Sequence, residues 1–435
     1  MPSHAYTYSF EPNPEWTRAL PPGSEIQSYF ESVFSKYKLA AFTRFDTEII
    51  SADWTGENWL LKDQHGEPYR APIVIAATGV LHHPSYPKIA GLQDFEGPVM
   101  HSARWDHGVP LDGRRIAIIG NGSTGVQMVS ALCDCAHVRH FQRTPQWIFP
   151  VENPLFTEAQ RAEFRSNRDL LVYLQNEPTY AANVERFTQA VLNPDSPEIQ
   201  EIQNICQDNL DHSVRDPALR EKLTPQYRAG CKRLIYSPDY YQAIQHPNSR
   251  LVTQGIARVE AEGIRTRDGV LHKVDVIALA TGFHADRFVR PMQVRGLNGQ
   301  SLDDAWSNGP TAYKSISMPG FPNFFFMNGP TSPVGNFSLI DTAEMQWGYI
   351  AQLIERISES AAVGISARPE ALHRYDNERL QAARASVFGS GCNSWYLDQN
   401  GVPNTWPWSQ SRFREAMRTR EWDDYVMHEH QTINC

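Results

Sequence analysis

Three segments read as continuous apolar, β-branched runs that end in glycine. They are Ala71-Pro-Ile-Val-Ile-Ala-Ala-Thr-Gly79, Arg115-Ile-Ala-Ile-Ile-Gly120 and Val274-Asp-Val-Ile-Ala-Leu-Ala-Thr-Gly282. A strand with one wet face alternates apolar and polar residues. Runs without alternation predict strands covered on both faces, hence the parallel sheet of an α/β fold. The first and third runs close on the same Ala-Thr-Gly, and the second lies between them and opens into a helix-spaced stretch. That order fits one domain interrupted by another rather than a tandem repeat. Residues 155–225 are polar, charged and helical in period, bracketed by Asn153-Pro154 and Thr224-Pro225, and predict a helical insertion. Gly320-Phe-Pro-Asn-Phe-Phe-Phe-Met-Asn-Gly-Pro330 predicts a further short strand, and helical spacing returns over Thr342–Glu359.

Gly120-Asn121-Gly122-Ser123-Thr124-Gly125 follows a predicted strand and precedes a predicted helix. In that setting the first glycine permits the tight turn, the second lets backbone approach a pyrophosphate, and the third lets helix pack on strand. The phosphates then lie at a helix N-terminus, where free N–H groups and the helix dipole favour negative charge. An NAD-binding unit places an acidic residue about 20 residues further on, against the ribose 2′-hydroxyl. This chain has Arg143 and Thr144 there. A guanidinium and a hydroxyl suit a 2′-phosphate, so NADPH is the expected cofactor; the alternative is a surface arginine at a strand end.

Composition narrows the class. The 435 residues are 41% apolar and 20% charged, with a net charge of −9. The acidic balance argues against nucleic acid or anionic membrane as partner, since both select basic patches. No apolar run approaches the roughly 20 residues of a membrane helix. The N-terminal Met-Pro-Ser-His-Ala-Tyr lacks the pattern of a signal peptide, so a cytoplasmic protein is expected. Cys133-x-Cys135 sits in a helix-like stretch without a second such pair, and reads as reduced core thiols rather than a metal or redox site.

Phe95-x-Gly97-x-x-x-His101-x-x-x-Trp105-Asp106 stands just ahead of the glycine loop. It resembles, at every fixed position, the fingerprint of flavin-dependent Baeyer–Villiger monooxygenases, FxGxxxHxxxW followed by Pro or Asp. The resemblance extends through the chain. Tyr6-Thr-Tyr-Ser-Phe10 with Asn13-Pro14 and Trp16 looks like the family's early FAD-domain segment, and Thr78-Gly79 and Thr281-Gly282 look like its two crossings between FAD and NADPH domains. Phe141-Gln-Arg143-Thr144-Pro-Gln-Trp147 resembles its 2′-phosphate strand, Cys231-Lys232-Arg233 the segment of its catalytic arginine, and Asn393-Ser-Trp395-Tyr its C-terminal cofactor loop. The texture is nearest to the acetophenone and fungal polyketide enzymes.

The resemblance implies an α/β fold of two nested Rossmann-like dinucleotide-binding domains. The FAD domain would occupy 1–108 and 275–435 and the NADPH domain 109–274, the latter carrying the helical insertion. It implies FAD and NADPH as cofactors, and O₂-dependent insertion of oxygen beside the carbonyl of a hydrophobic or polyketide-like ketone. Arg233 would be the fixed cation beside the flavin, a role that suits a guanidinium because it stays charged. Lys232 would pair with the 2′-phosphate, Tyr6, Ile49, Gly79 and Gly282 would lie along the FAD-domain contacts, and Trp395 would face the nicotinamide. From spacing alone Lys232-Arg233 equally describes a basic turn, and Trp395 a core tryptophan. N- or S-oxygenation by a related flavin enzyme is the neighbouring possibility, against which the complete fingerprint argues.

The family opens with a further GxGxxG for FAD, an acidic ribose ligand and a GGxW segment. None of these is in the sequence, and the match starts near Met1. The FAD domain is therefore expected to be N-terminally truncated. Either the start is an internal Met of a longer flavoprotein, or the chain is a flavin-free NADP-binding remnant acting as a reductase, isomerase or binding protein. Neither the substrate nor the oligomeric state follows from the sequence.

Overall fold

A computed structural model describes residues 1–333, 337–390, 397, 401 and 403–429. The chain divides into two compact units. One comprises Met1–Val80, Asn153–Ser196 and Asp286–Cys435; the other comprises Leu81–Glu152 and Pro197–Ala285.

The second unit is built on a five-stranded sheet in the order Ser249–Val252, His137–Phe141, Arg115–Ile119, Val276–Leu279, Val99–His101. Every neighbouring pair is parallel. Both faces are covered, which is why its central runs lack alternation. Ile116, Ile118 and Val138 point to one face and pack with Val126 and Val129 of the helix Ser123–Leu132 and with Tyr240 and Tyr241. Ala117, Ile119, Phe141, Ile277 and Leu279 point to the other. There they meet Val259 and Ile264 of a three-stranded antiparallel sheet formed by Ile256–Glu260, Gly263–Thr266 and Leu271–Lys273.

Asp275 ties the Arg115–Ile119 and Val276–Leu279 strands together at their start. Its carboxylate accepts from the Arg115 backbone N–H at 2.8 Å and from the guanidinium at 3.1 and 2.5 Å. The guanidinium bonds, followed by the backbone bond, hold this carboxyl at a pKa of about 2 against the pull of burial.

In the first unit, Gln293–Arg295, Ile49–Trp54, Trp59–Asp63 and Pro68–Ala71 form a mostly antiparallel four-stranded sheet. Val74–Ala76 and Phe324–Phe326 form a short parallel pair. Trp59, Phe321, Phe324 and Phe326 make the adjoining core, and the Trp59 indole N–H donates to the Pro322 carbonyl at 2.8 Å. The long helix Leu339–Ser358 packs through Tyr349, Ile350 and Leu353 into a second core with Phe413 and Trp406.

Several expectations are modified. Of the first apolar run, 71–79, only Val74–Ala76 is a parallel strand and it is only partly covered, while Ala71 ends the antiparallel strand Pro68–Ala71 just before Pro72. The expected boundaries after 108 and 274 fall inside the second unit, because the fingerprint segment supplies its edge strand Val99–His101. The helical stretch 155–225 is divided at Ser196/Pro197. Glu158–Ser166, Arg168–Gln175 and Pro178–Leu192 belong to the first unit, and Pro197–Ser213 and Pro217–Leu223 to the second. A turn closed by the Ser196 N–H on the Asn193 carbonyl, followed by a proline, makes that break. Cys133 is a buried free thiol, but Cys135 lies past the helix end at Leu132 and is exposed rather than in the core. Among the described residues no helix is long and apolar enough to cross a membrane.

Candidate functional site

The glycine loop joins the end of the Arg115–Ile119 strand to the helix Ser123–Leu132. Gly120 has φ +109°, and a Cβ there would lie 2.3 Å from the Ala280 carbonyl oxygen, so both conformation and space require glycine. Gly125 sits in the first turn of the helix, where a Cβ would lie 2.0 Å from the Gly120 oxygen. Gly122, the residue before the helix, has nothing within 4 Å of a Cβ position. It is exposed, as is Thr124, while Ser123 is half-buried. The helix N-terminus thus presents unobstructed backbone, the arrangement a pyrophosphate needs.

Hydrogen bonds from the adjoining strand fix the loop. The Gly120 N–H donates to the Phe141 carbonyl at 3.2 Å. Asn121, largely buried, donates from Nδ2 to the Thr144 carbonyl at 2.6 Å and to Gln142 Oε1 at 3.2 Å. Gln142 in turn donates to the Lys222 carbonyl at 2.8 Å. The predicted strand ends at Phe141, which places Arg143 and Thr144 in the turn beyond it. Arg143 is exposed and Thr144 half-buried.

Lys232 is half-buried with its ammonium 4.7 Å from the centre of the Tyr227 ring. Burial, and then the nearby Arg143 guanidinium, lower its pKa below the ordinary lysine range. Among the described residues no carboxylate pairs with Arg143 or Lys232. Two interacting cations with no carboxylate partner among the described residues suit a dianionic phosphate. The residues of the second unit therefore fit the phosphates of NADPH.

The fingerprint residues lie along the Val276–Leu279 strand. Phe95 packs beneath its inner face. At Gly97 a Cβ would lie 2.5 Å from the Asp275 carbonyl oxygen, so glycine permits close approach at the start of the strand. His101 is 1% exposed and works at the other end. Its Nδ1 accepts from the Ala103 N–H at 3.1 Å, so its Nε2 carries the proton and donates to the Gly282 carbonyl at 3.1 Å. That carbonyl also accepts from the Ser85 N–H at 2.8 Å, and the Thr281 hydroxyl donates to the Ser85 carbonyl at 2.6 Å. Burial lowers the His101 pKa and keeps the ring neutral. Trp105 packs at the edge of the sheet core, and Asp106 closes a turn by accepting from the Gly108 N–H at 2.8 Å.

The remaining expected residues are spread out. Arg233 is exposed, in the second unit with Lys232. Tyr6, Ile49 and Gly79 are in the first unit: Tyr6 half-buried against the Trp16 cluster, Ile49 half-buried at the start of its strand, Gly79 exposed after Val74–Ala76. Trp395 lies outside the described residues. Sequence reasoning missed the residues that hold the loop from behind, Gln142, His140 and Tyr240, whose role depends on contacts no motif records.

A glycine loop on a doubly covered parallel sheet, with two cations beside it, is the arrangement of a dinucleotide-binding protein. The pyridine nucleotide-disulphide oxidoreductase family matches residues 4–167. An uncharacterized monooxygenase of Mycobacterium bovis is 43% identical, over 100% of this chain and 87% of its own length. A Baeyer–Villiger monooxygenase of Pseudomonas aeruginosa is 34% identical, over 98% of this chain and 81% of its own. Among solved structures, closed cyclohexanone monooxygenase superposes with a TM-score of 0.86 at 27% identity, covering 98% of this chain and 89% of that one. An oxidized steroid monooxygenase bound to NADP gives 0.86 at 26%, covering 98% and 90%. The chain belongs to the flavin-dependent Baeyer–Villiger monooxygenases, and its fold is their α/β fold with two dinucleotide-binding domains.

Proposed function

We propose that the protein is an FAD- and NADPH-dependent monooxygenase that inserts one oxygen atom of O₂ beside a ketone carbonyl, giving an ester or lactone from a hydrophobic or polyketide-like substrate. The observation that carries this reading is the complete fingerprint, with Gly97 and His101 gripping the two ends of the strand that leads to Gly282. The second unit takes NADPH, its helix N-terminus facing the pyrophosphate and Arg143 with Lys232 facing the 2′-phosphate. The first unit takes the flavin, which when bound supplies the redox and oxygen chemistry. Arg233 supplies a fixed positive charge for the negative charge that develops in the reaction.

Purified protein is tested for a flavin absorption spectrum and for ketone-dependent NADPH oxidation, with the product identified by mass as substrate plus one oxygen. A yellow protein that forms the ester supports the reading. A colourless, folded protein that binds NADPH without forming ester would overturn it.

A further inference from the structure

Behind the glycine loop, two buried side chains that no motif includes form a chain of hydrogen bonds ending on the loop itself. His140, in the strand His137–Phe141, is 0% exposed. Its Nε2 lies 3.1 Å from the Gly120 carbonyl oxygen, and its Nδ1 lies 3.2 Å from the hydroxyl of Tyr240, which is 3% exposed. A carbonyl oxygen can only accept, so Nε2 carries the proton and donates to Gly120. Nδ1 is then the bare acceptor, and the phenol donates to it. The rings meet edge to face at 89° with centroids 5.9 Å apart, which holds the imidazole in the plane its donation needs.

The target matters. Gly120 O is the oxygen that lies 2.0 Å from a Cβ position at Gly125, so it sits between strand end and helix start. Held by His140, it is turned into the interior. A loop carbonyl released from that hold can rotate toward bound phosphate, where two negative oxygens repel and the backbone N–H groups lose their alignment.

We infer that His140 and Tyr240 are positioning residues for the nucleotide, fixing the Gly120 carbonyl inward so that the loop keeps its phosphate-binding shape before the cofactor arrives. This rests on the NADPH reading of the loop and deepens it. Neither side chain touches the nucleotide, so the effect falls on the pyrophosphate and not on the 2′-phosphate. Weakened binding is therefore expected equally for NADP⁺ and NAD⁺, unlike a loss at Arg143.

The test is equilibrium binding of NADP⁺ and NAD⁺ to the purified full chain by calorimetry, with thermal unfolding followed in parallel. His140→Leu is expected to raise both dissociation constants by about tenfold, the size of one lost hydrogen bond. In His140→Gln the amide N–H₂ can replace the Nε2 donor, and binding is expected within about twofold of the unsubstituted protein. Tyr240→Phe, which leaves the donor but frees the ring, is expected to weaken binding by about two- to threefold. Equal impairment in His140→Gln and His140→Leu would show a packing role and overturn the inference, as would unchanged binding in His140→Leu. If His140→Leu does not fold, unchanged binding in Tyr240→Phe, or a tenfold loss in His140→Gln, overturns it. Absence of NADP⁺ binding by the unsubstituted protein overturns the NADPH reading instead.

Discussion

Gly122 and Gly125 are three residues apart in one loop, yet their replacement by alanine is expected to fail in different ways. At Gly125 a Cβ would lie 2.0 Å from the Gly120 oxygen and 2.9 Å from its carbonyl carbon, and the Ala280 side chain stands 3.5 Å away. Contact becomes ordinary only at 3.4 Å, so helix and loop must separate by 3.4 − 2.0, or 1.4 Å. The obstacle is backbone, which cannot swing aside. Removing a glycine from a helix returns up to about 1 kcal/mol of propensity. Overpacking of this kind costs about 1–3 kcal/mol. The clash wins, and Gly125→Ala should lose a net of about 1–2 kcal/mol, lowering the unfolding midpoint by roughly 1–2 °C for a chain of this length.

At Gly122 the Cβ meets nothing within 4 Å, and φ is −69°, which alanine adopts freely. The loss of glycine before the helix and the reduced freedom of the unfolded chain are each some tenths of a kcal/mol, with opposite signs. Stability should therefore stay within about 0.5 kcal/mol. Its methyl instead occupies the space that phosphate must enter, and NADP⁺ affinity should fall by about tenfold or more. The assay is thermal unfolding without nucleotide, beside calorimetric titration of NADP⁺. A Gly122→Ala protein that melts as early as Gly125→Ala, or a Gly125→Ala protein as stable as the parent, would refute this division of labour.

Arg143→Ala should raise KM for NADPH by about ten- to a hundredfold while leaving NADH within about twofold, since only one of them carries the 2′-phosphate; equal losses contradict that contact. Arg233→Ala should leave NADPH consumption measurable while ester formation falls below detection, read by product mass; retained oxygenation rejects its role. Asp275→Asn should cost about 1 kcal/mol at pH 7 by urea unfolding, because the lowered carboxyl pKa corresponds to somewhat more, and a partner guanidinium 43% exposed is partly screened. The carboxyl titrates lower folded than unfolded, so this stabilisation is whole above about pH 4 and fades toward pH 2. A gap between parent and variant that stays constant from pH 7 to about pH 2.5 counts against the ion pair.

The strands of the second unit were legible because burial on both faces writes itself as unbroken Ile, Val and Ala, and the glycine loop because its three glycines answer three separate spatial demands. The division of the helical stretch was not, although the proline that makes it was visible. Nothing in polar helical periodicity says which core Val184 or Leu210 will join, since partner choice is decided by surfaces far away in sequence. His140 and Tyr240 were invisible for the same reason. They stand 100 positions apart, and each alone reads as one more buried ring. Arg143 was legible from its distance beyond the glycine loop and Lys232 by resemblance; their proximity without a carboxylate among the described residues comes only from the fold.

The Gly282 carbonyl has two lone pairs and spends both, one on the Ser85 amide and one on the His101 imidazole. The pattern that distinguishes these oxygenases from their relatives is, in this molecule, carpentry. Its histidine is buried with both ring nitrogens engaged within the protein, Nδ1 by the Ala103 amide and Nε2 by the Gly282 carbonyl. Replacing His101 would therefore loosen the join between Ser85 and Gly282, a mechanical fault in the frame of the second unit.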